Sequence, residues 1–227
     1  MKIAEIFYSI QGEGMLAGTP SVFVRTSGCN LRCVWCDTPY ASWEPEGKDV
    51  ALEEILAQMA RYGAHYVVVT GGEPMIAPEI VPLSAALRQM GLHVTIETAG
   101  TVFAPVECHL MSISPKLANS TPLYREDGRW TTQHDRLRIR PEVLRRLMGT
   151  YDYQLKFVVT EEDDLGEIRD LVAQLRANPQ RVVLMPEGTD PEVLRERGTW
   201  MVEICKQEGY RFSPRLHIDI YGNRRGV

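Results

Sequence analysis

The chain has no apolar run approaching the roughly 20 residues that a membrane helix needs. Its opening, Met1-Lys2-Ile3-Ala4-Glu5, turns polar at once. Neither a membrane span nor a secretory leader is expected, and no membrane partner. An excess of positive charge is also lacking. The 227 residues carry a formal charge of −5, which argues against broad electrostatic binding to nucleic acid or anionic lipid. The basic runs Arg136-Leu137-Arg138-Ile139-Arg140 and Arg224-Arg225 are short and read as solvated faces. There is no internal repeat and no low-complexity tract. Cysteine is scarce: five residues, an odd number, with three inside one eight-residue run. That excludes a secreted disulfide framework and points to a reducing cytoplasm, where thiols persist as metal ligands.

What is there is globular. The chain is 44% hydrophobic and 24% charged, an ordinary balance for a packed domain. Its length suits one domain spanning residues 1–227. Strands are expected at Val22–Thr26, Tyr66–Thr70, His93–Thr98, Leu110–Ser114, Leu155–Val159 and Arg181–Met185. Leu52, Ile55, Leu56 and Met59 recur at helical spacing, with Glu53 and Glu54 in the first turn. Further helices are expected at Pro78–Met90, Asp164–Arg176 and Pro191–Glu208. Strands alternating with helices imply an α/β fold with a parallel sheet. Six strands and about four helices fit a closed or partly closed TIM-like barrel. The unusual residues fall on the loops after strands, where such barrels carry their chemistry. Residues 119–140 break the pattern. They are polar with little periodicity, and read as a rim insertion that serves as lid, dimer contact or plain loop.

The informative cluster is Cys29-Asn30-Leu31-Arg32-Cys33-Val34-Trp35-Cys36. CxxxCxxC is one thiolate short of a closed site, because structural zinc and electron-transfer clusters take four protein ligands. Cys108, His109 and Cys205 are the candidates for a remote fourth ligand, as in a zinc knuckle, and buried free thiols are the other bland reading. Both are weaker than an iron–sulfur cluster with one open iron. Elsewhere, Thr70-Gly71-Gly72-Glu73-Pro74 puts two glycines and a carboxylate at a strand end, where backbone approaches a ligand closely. Gln11-Gly12-Glu13-Gly14 offers an amide, a carboxylate and exposed backbone in one turn. Arg25 ends an apolar strand. It is either a surface arginine or a carboxylate partner facing the barrel mouth.

CxxxCxxC followed by Gly71-Gly72-Glu73-Pro74 resembles the radical S-adenosylmethionine superfamily. The resemblance implies a 4Fe-4S cluster on Cys29, Cys33 and Cys36, with S-adenosylmethionine on the open iron. It places Trp35, Cys36, Asp37, Gly72, Glu73, Glu97, Ser114, Pro115 and Lys116 at the cofactor. Within the superfamily, Glu5 to Gly14, Gly18-Thr19-Pro20, Cys36-Asp37-Thr38 and Pro214-Arg215-Leu216-His217 resemble the 7-carboxy-7-deazaguanine synthase family. The likeness spans most of the chain and fades through residues 119–140.

That second resemblance implies a partial barrel of about the β6/α3 type, with an extended C-terminal tail. It implies a radical lyase that converts 6-carboxy-5,6,7,8-tetrahydropterin to 7-carboxy-7-deazaguanine with loss of ammonia, in 7-deazapurine biosynthesis. Thr38 would ligate Mg²⁺, an ion that often takes few protein ligands plus substrate oxygens. Asp37 would orient that site. Ile10, Gln11, Gly12, Glu13, Arg25, Thr70 and His217 would hold the pterin. A homodimer, a flavodoxin- or ferredoxin-type electron donor and a cytoplasmic location are implied in the same way. The chain departs from the family in continuing from Ile218 to Val227 after the histidine, and in having Met185-Pro186-Glu187 where a Gln-Pro pair is common. Two rivals remain: a glycyl-radical-enzyme activase acting on a protein, and a non-enzymatic iron–sulfur electron carrier.

Overall fold

A computed structural model describes residues 1–227. In chain order the strands are β1 Lys2–Ile10, β2 Pro20–Thr26, β3 Lys48–Asp49, β4 Tyr66–Gly71, β5 His93–Thr98, β6 Leu110–Ile113, β7 Tyr153–Val159, β8 Val182–Pro186 and β9 Arg211–Phe212. The α-helices are α1 Pro39–Ser42, α2 Leu52–Tyr62, α3 Ile80–Gln89, α4 Thr131–Arg138, α5 Pro141–Thr150, α6 Asp164–Leu175, α7 Pro191–Glu208 and α8 Leu216–Tyr221. All nine strands form one sheet in the order β3-β1-β2-β4-β5-β6-β7-β8-β9.

The sheet is not closed. Its edges are the two-residue strands β3 and β9, too short to template pairing with another chain. The barrel is therefore the partial one. From β2 to β9 every pairing is parallel, and only β1 runs antiparallel to its neighbours. Parallel strands need crossovers, and the helices provide them. The six strands expected from the sequence are β2 and β4–β8, each within two residues at either end.

Why these segments become these elements is visible in burial. Val67, Val68 and Val69 of β4 are all buried, as a strand covered on both faces should be. In α2, Ile55 and Met59 are the buried stripe, and Gly63 closes the helix in a left-handed conformation at φ 59°, a position that suits glycine. In α7, Asp190 caps the start by accepting from the Glu192 N–H at 2.8 Å, and Pro191 occupies the first turn.

Three parts differ from the sequence reading. Strand β1 was not expected. Only Ile3 in it is buried, because Phe7 and Ile10 face a cavity instead of a core. Residues 119–140 are not plain loop: they hold α4, which with α5 forms the crossover from β6 to β7. Nor are the basic runs simply solvated faces. Arg138 pairs with Asp135 and Glu167, and Arg225 pairs with Glu5 and Glu46 and lies 3.9 Å from the centre of the Tyr40 ring. No helix is long and apolar enough to cross a membrane.

Candidate active site

The C-terminal ends of the parallel strands open into a cavity of about 480 Å³, within the range of small-molecule sites. The cysteine loop forms one wall. Between Ser27 and Thr38 it contains no helix or strand. Cys29, Cys33 and Cys36 are free thiols and all line the cavity. Burial pushes the Cys29 thiol up to about 12 and raises Cys33 as well. Thiols so placed stay protonated and inert until a metal displaces the proton. Cys108, His109 and Cys205 do not reach the cavity. His109 stacks on His93 with ring centres 4.5 Å apart, and Cys205 is buried in α7. The three thiols share one cavity wall but are not gathered into an ion cage; by its chemistry the set suits a cluster with one open iron, since structural zinc takes four ligands.

The Gly71-Gly72 loop at the end of β4 forms the adjoining wall. Gly71 has φ 140°, which favours glycine. A Cβ on Gly72 would strike the backbone carbonyls of Gly28 and Ala41. The Glu73 N–H donates to the Gly28 carbonyl at 2.9 Å, so this loop and the cysteine loop are sewn together. The Glu73 side chain itself turns inward. Its carboxylate accepts from Thr98 Oγ1 at 2.7 Å, the Ala99 N–H at 2.8 Å and the Met75 N–H at 3.1 Å. Burial raises its pKa, and those three donors pull against the rise. Glu73 and Pro115 are the two candidate residues that do not line the cavity.

The remaining candidates are brought together, many already paired. Glu97 accepts from Gln11 Nε2 at 3.0 Å and Thr70 Oγ1 at 2.8 Å. Lys116 donates to Ser114 Oγ at 2.7 Å and stands 5.9 Å from the Trp35 ring centre. Arg25 uses Nε to hold Glu5 at 2.7 Å, which leaves its two terminal nitrogens without a protein partner at the cavity. Thr38 Oγ1 has only the Cys36 sulfur nearby, at 3.8 Å. His217 Nδ1 is buried with no hydrogen-bond partner and packs so close to Gly12 that a Cβ there would collide with it. Polar atoms of this kind, free of protein partners, are open to a ligand or to water.

Several lining residues went unrecognised in the sequence. Lys156 of β7 and Arg215 converge on Glu13, and Arg215 also reaches Asp37. Burial alone would raise the Glu13 carboxyl, but Lys156 and Arg215 outweigh it and hold it well below the usual range. The signal for Lys156 was one cation inside the apolar run Leu155 to Val159, the same signal that marked Arg25. Phe7 and Phe23, stacked 4.9 Å apart, supply an apolar wall. Tyr40 lines the site too and donates to Glu5 at 2.8 Å. Residues 223–227 also border the cavity, so the extended tail lies over the site.

Comparison with known proteins agrees with this geometry. A model of the radical SAM superfamily matches residues 23–139. The 7-carboxy-7-deazaguanine synthase of Halobacterium salinarum is 45% identical over 98% of this chain and 91% of its own length. That of Rhodopirellula baltica is 47% identical over 99% and 88%. The crystal structure of QueE from Escherichia coli superposes with a TM-score of 0.72 at 25% identity, covering 95% of this chain and 94% of that one. This chain belongs to the radical SAM superfamily and, within it, to the 7-carboxy-7-deazaguanine synthase family.

Proposed function

We propose that this protein is a 7-carboxy-7-deazaguanine synthase: a radical SAM lyase that contracts the pterin ring of 6-carboxytetrahydropterin and releases ammonia. The observation that carries the reading is the cavity itself. Three thiols without a fourth protein ligand stand on one wall, and an arginine with two free terminal nitrogens, an uncommitted hydroxyl and an unpaired imidazole nitrogen stand around it. The enzyme takes a small-molecule substrate and needs an electron donor.

The cluster and S-adenosylmethionine, when bound, supply the radical. The protein's share is binding, orientation and exclusion of water. Cys29, Cys33 and Cys36 hold the cluster. Gly72 lets the backbone approach the cofactor, and Trp35, Asp37, Ser114 and Lys116 line its place. Glu73 acts through the loop it anchors, since its carboxylate is already filled by three donors. Arg25 offers its terminal nitrogens as a fork for the substrate carboxylate. Burial works against its charge, but Tyr40 and Glu5 beside it keep the pKa raised, so the guanidinium is charged at any working pH. Thr38 supplies one oxygen to Mg²⁺, with substrate and water completing the shell. Ile10, Gln11, Gly12, Glu13, Thr70 and His217 shape the pterin pocket, with Glu97 organising Gln11 and Thr70. A homodimer, a flavodoxin- or ferredoxin-type donor and a cytoplasmic location belong to the same reading.

The test is one anaerobic assay. Reconstituted protein receives S-adenosylmethionine, a reductant and 6-carboxytetrahydropterin, with and without Mg²⁺. Formation of 7-carboxy-7-deazaguanine, increased by Mg²⁺, is expected. Cleavage of the cofactor with no deazaguanine in either condition would leave the superfamily and sink the substrate.

A further inference from the structure

Helix α4 is built almost entirely of polar residues and buries one of them, His134, which is 1% exposed. Its ring is fully used. The Arg32 N–H donates to Nδ1 at 3.1 Å, so Nδ1 carries no proton and Nε2 does. Nε2 then donates to Ser120 Oγ at 2.9 Å, and the Ser120 hydroxyl donates to the Leu117 carbonyl at 2.6 Å. Each ring nitrogen has one partner, and the three bonds run one way. A helix that needed only an apolar anchor would bury a leucine. This one buries a group that accepts from the backbone between two of the thiols.

Arg32 is not the only tether. The Val34 N–H donates to the Ser120 carbonyl at 2.8 Å. Trp35 Nε1 donates to the Asn119 carbonyl at 3.1 Å. The Arg32 guanidinium lies 4.7 Å from the Trp130 ring centre. On the far side, Asn119 Nδ2 donates to Asp164 Oδ2 at 2.8 Å and to the Val158 carbonyl at 3.2 Å. Residues 32, 34 and 35, the ones between the second and third thiols or just before them, are thus fastened through residues 117–134 to β7 and α6. The loop has no regular structure of its own to fix it, so its backbone groups depend on such partners.

We propose that the excursion from Leu117 to Arg138 is a brace that sets the cysteine loop for its cluster, and that His134 is its positioning residue. The proposal rests on the three thiols being the cluster ligands. An unbraced loop must be ordered when iron binds, which weakens retention. Outer partners of metal ligands typically change affinity by about 10–100-fold.

The experiment reads iron, not turnover. Wild type, His134→Ala, His134→Gln, Ser120→Ala and Leu175→Ala are reconstituted without oxygen. Chelator-driven iron loss, the electron paramagnetic resonance spectrum of the reduced cluster and Tm are measured. Leu175 is buried on α6 and makes no tether to the loop, so it controls for general destabilisation. His134→Ala should lose iron roughly 10–100-fold faster than wild type and broaden the cluster signal. His134→Gln, whose amide can accept from Arg32 and donate to Ser120, should restore most of the retention. Leu175→Ala should lower Tm and leave iron loss unchanged. Wild-type retention in His134→Ala, or equal iron loss in His134→Ala and Leu175→Ala, would overturn the brace. If His134→Ala does not fold, Ser120→Ala decides: it should speed iron loss, and an unchanged rate overturns the proposal. Wild type that takes up no cluster would remove the ligand reading, and the brace with it.

Discussion

At Thr38 a single hydroxyl near the Cys36 thiol has no strong protein partner. Replacing it with alanine should lower turnover by roughly 10-fold with Mg²⁺ present and abolish the Mg²⁺ response, while serine keeps both. Equal Mg²⁺ titrations in wild type and Thr38→Ala would remove the ligand role. Gly72 is a steric test. Its Cβ would meet two backbone carbonyls that cannot swing away. Gly72→Ala should cost about 1–3 kcal/mol in urea unfolding and raise the apparent Kd for S-adenosylmethionine. Unchanged cofactor binding in a folded Gly72→Ala would show that the close approach is dispensable. The thiols, the paired glycines and Arg25 stood out in the sequence because their types are rare in their surroundings, whereas Thr38 was marked only by the family resemblance. Glu73 was expected at the cofactor, but its carboxylate turns away from the cavity. Which way a carboxylate turns depends on Thr98 and Ala99, which stand at the end of the next strand.

At the scale of elements, legibility followed apolar periodicity. The six central strands and four helices carry it, and they were readable. Helix α4 does not, since its one buried side chain is an imidazole. Helix α5 had a signal, Pro141 in its first turn with Leu144 and Leu147 buried behind it, but it lay hidden behind the polar stretch before it. The polar anchor of α4 also makes a pH prediction. Burial, the first cause, lowers His134 to about 4 from an ordinary 6.5, with Arg138 and Lys116 adding to the fall and Asp135 opposing it. Below pH 6.5 the unfolded chain takes a proton that the folded chain refuses. Stability is therefore full above 6.5 and falls as pH drops toward 4. The loss should be roughly 1–2 kcal/mol once solvent screening is allowed for. His134→Gln should flatten that dependence. Urea unfolding of the cluster-free protein at a series of pH values checks it, and parallel curves for the two proteins would refute the assignment.

Across the whole molecule, an open sheet leaves the cavity without a continuous wall of strands, and charge joins the gap. Glu13 lies just after β1, Lys156 on β7, Asp37 in the cysteine loop and Arg215 just before α8. Arg215 holds Glu13 at 3.1 Å, bonds Asp37 and donates to the Gly188 carbonyl at 2.6 Å. Partners so far apart in the chain could not be paired from sequence, because nothing local marks Arg215 as buried. The structure puts its side chain at 6% exposure. Removing one member of a buried pair leaves the other charge uncompensated, at about 3–5 kcal/mol. Arg215→Met should approach that loss at neutral pH. Glu13 then keeps Lys156, so its carboxyl stays low, though less so. Because the folded carboxyl titrates below its unfolded value, the contribution is present above about pH 4.5 and fades as pH falls. The gap between wild type and Arg215→Met should accordingly narrow in acid. Arg215→Lys keeps the charge but not the fork that spans two carboxylates, and should fall between them. In the assay, Arg215→Met should raise KM for the pterin more than it changes cluster content, since Arg215 bonds Glu13 in the turn of residues 11–14 and Asp37 at the rim of the cysteine loop but none of the thiols. An equal loss of iron and of substrate affinity would mean that the network holds up the fold and has no separate part in shaping the pocket.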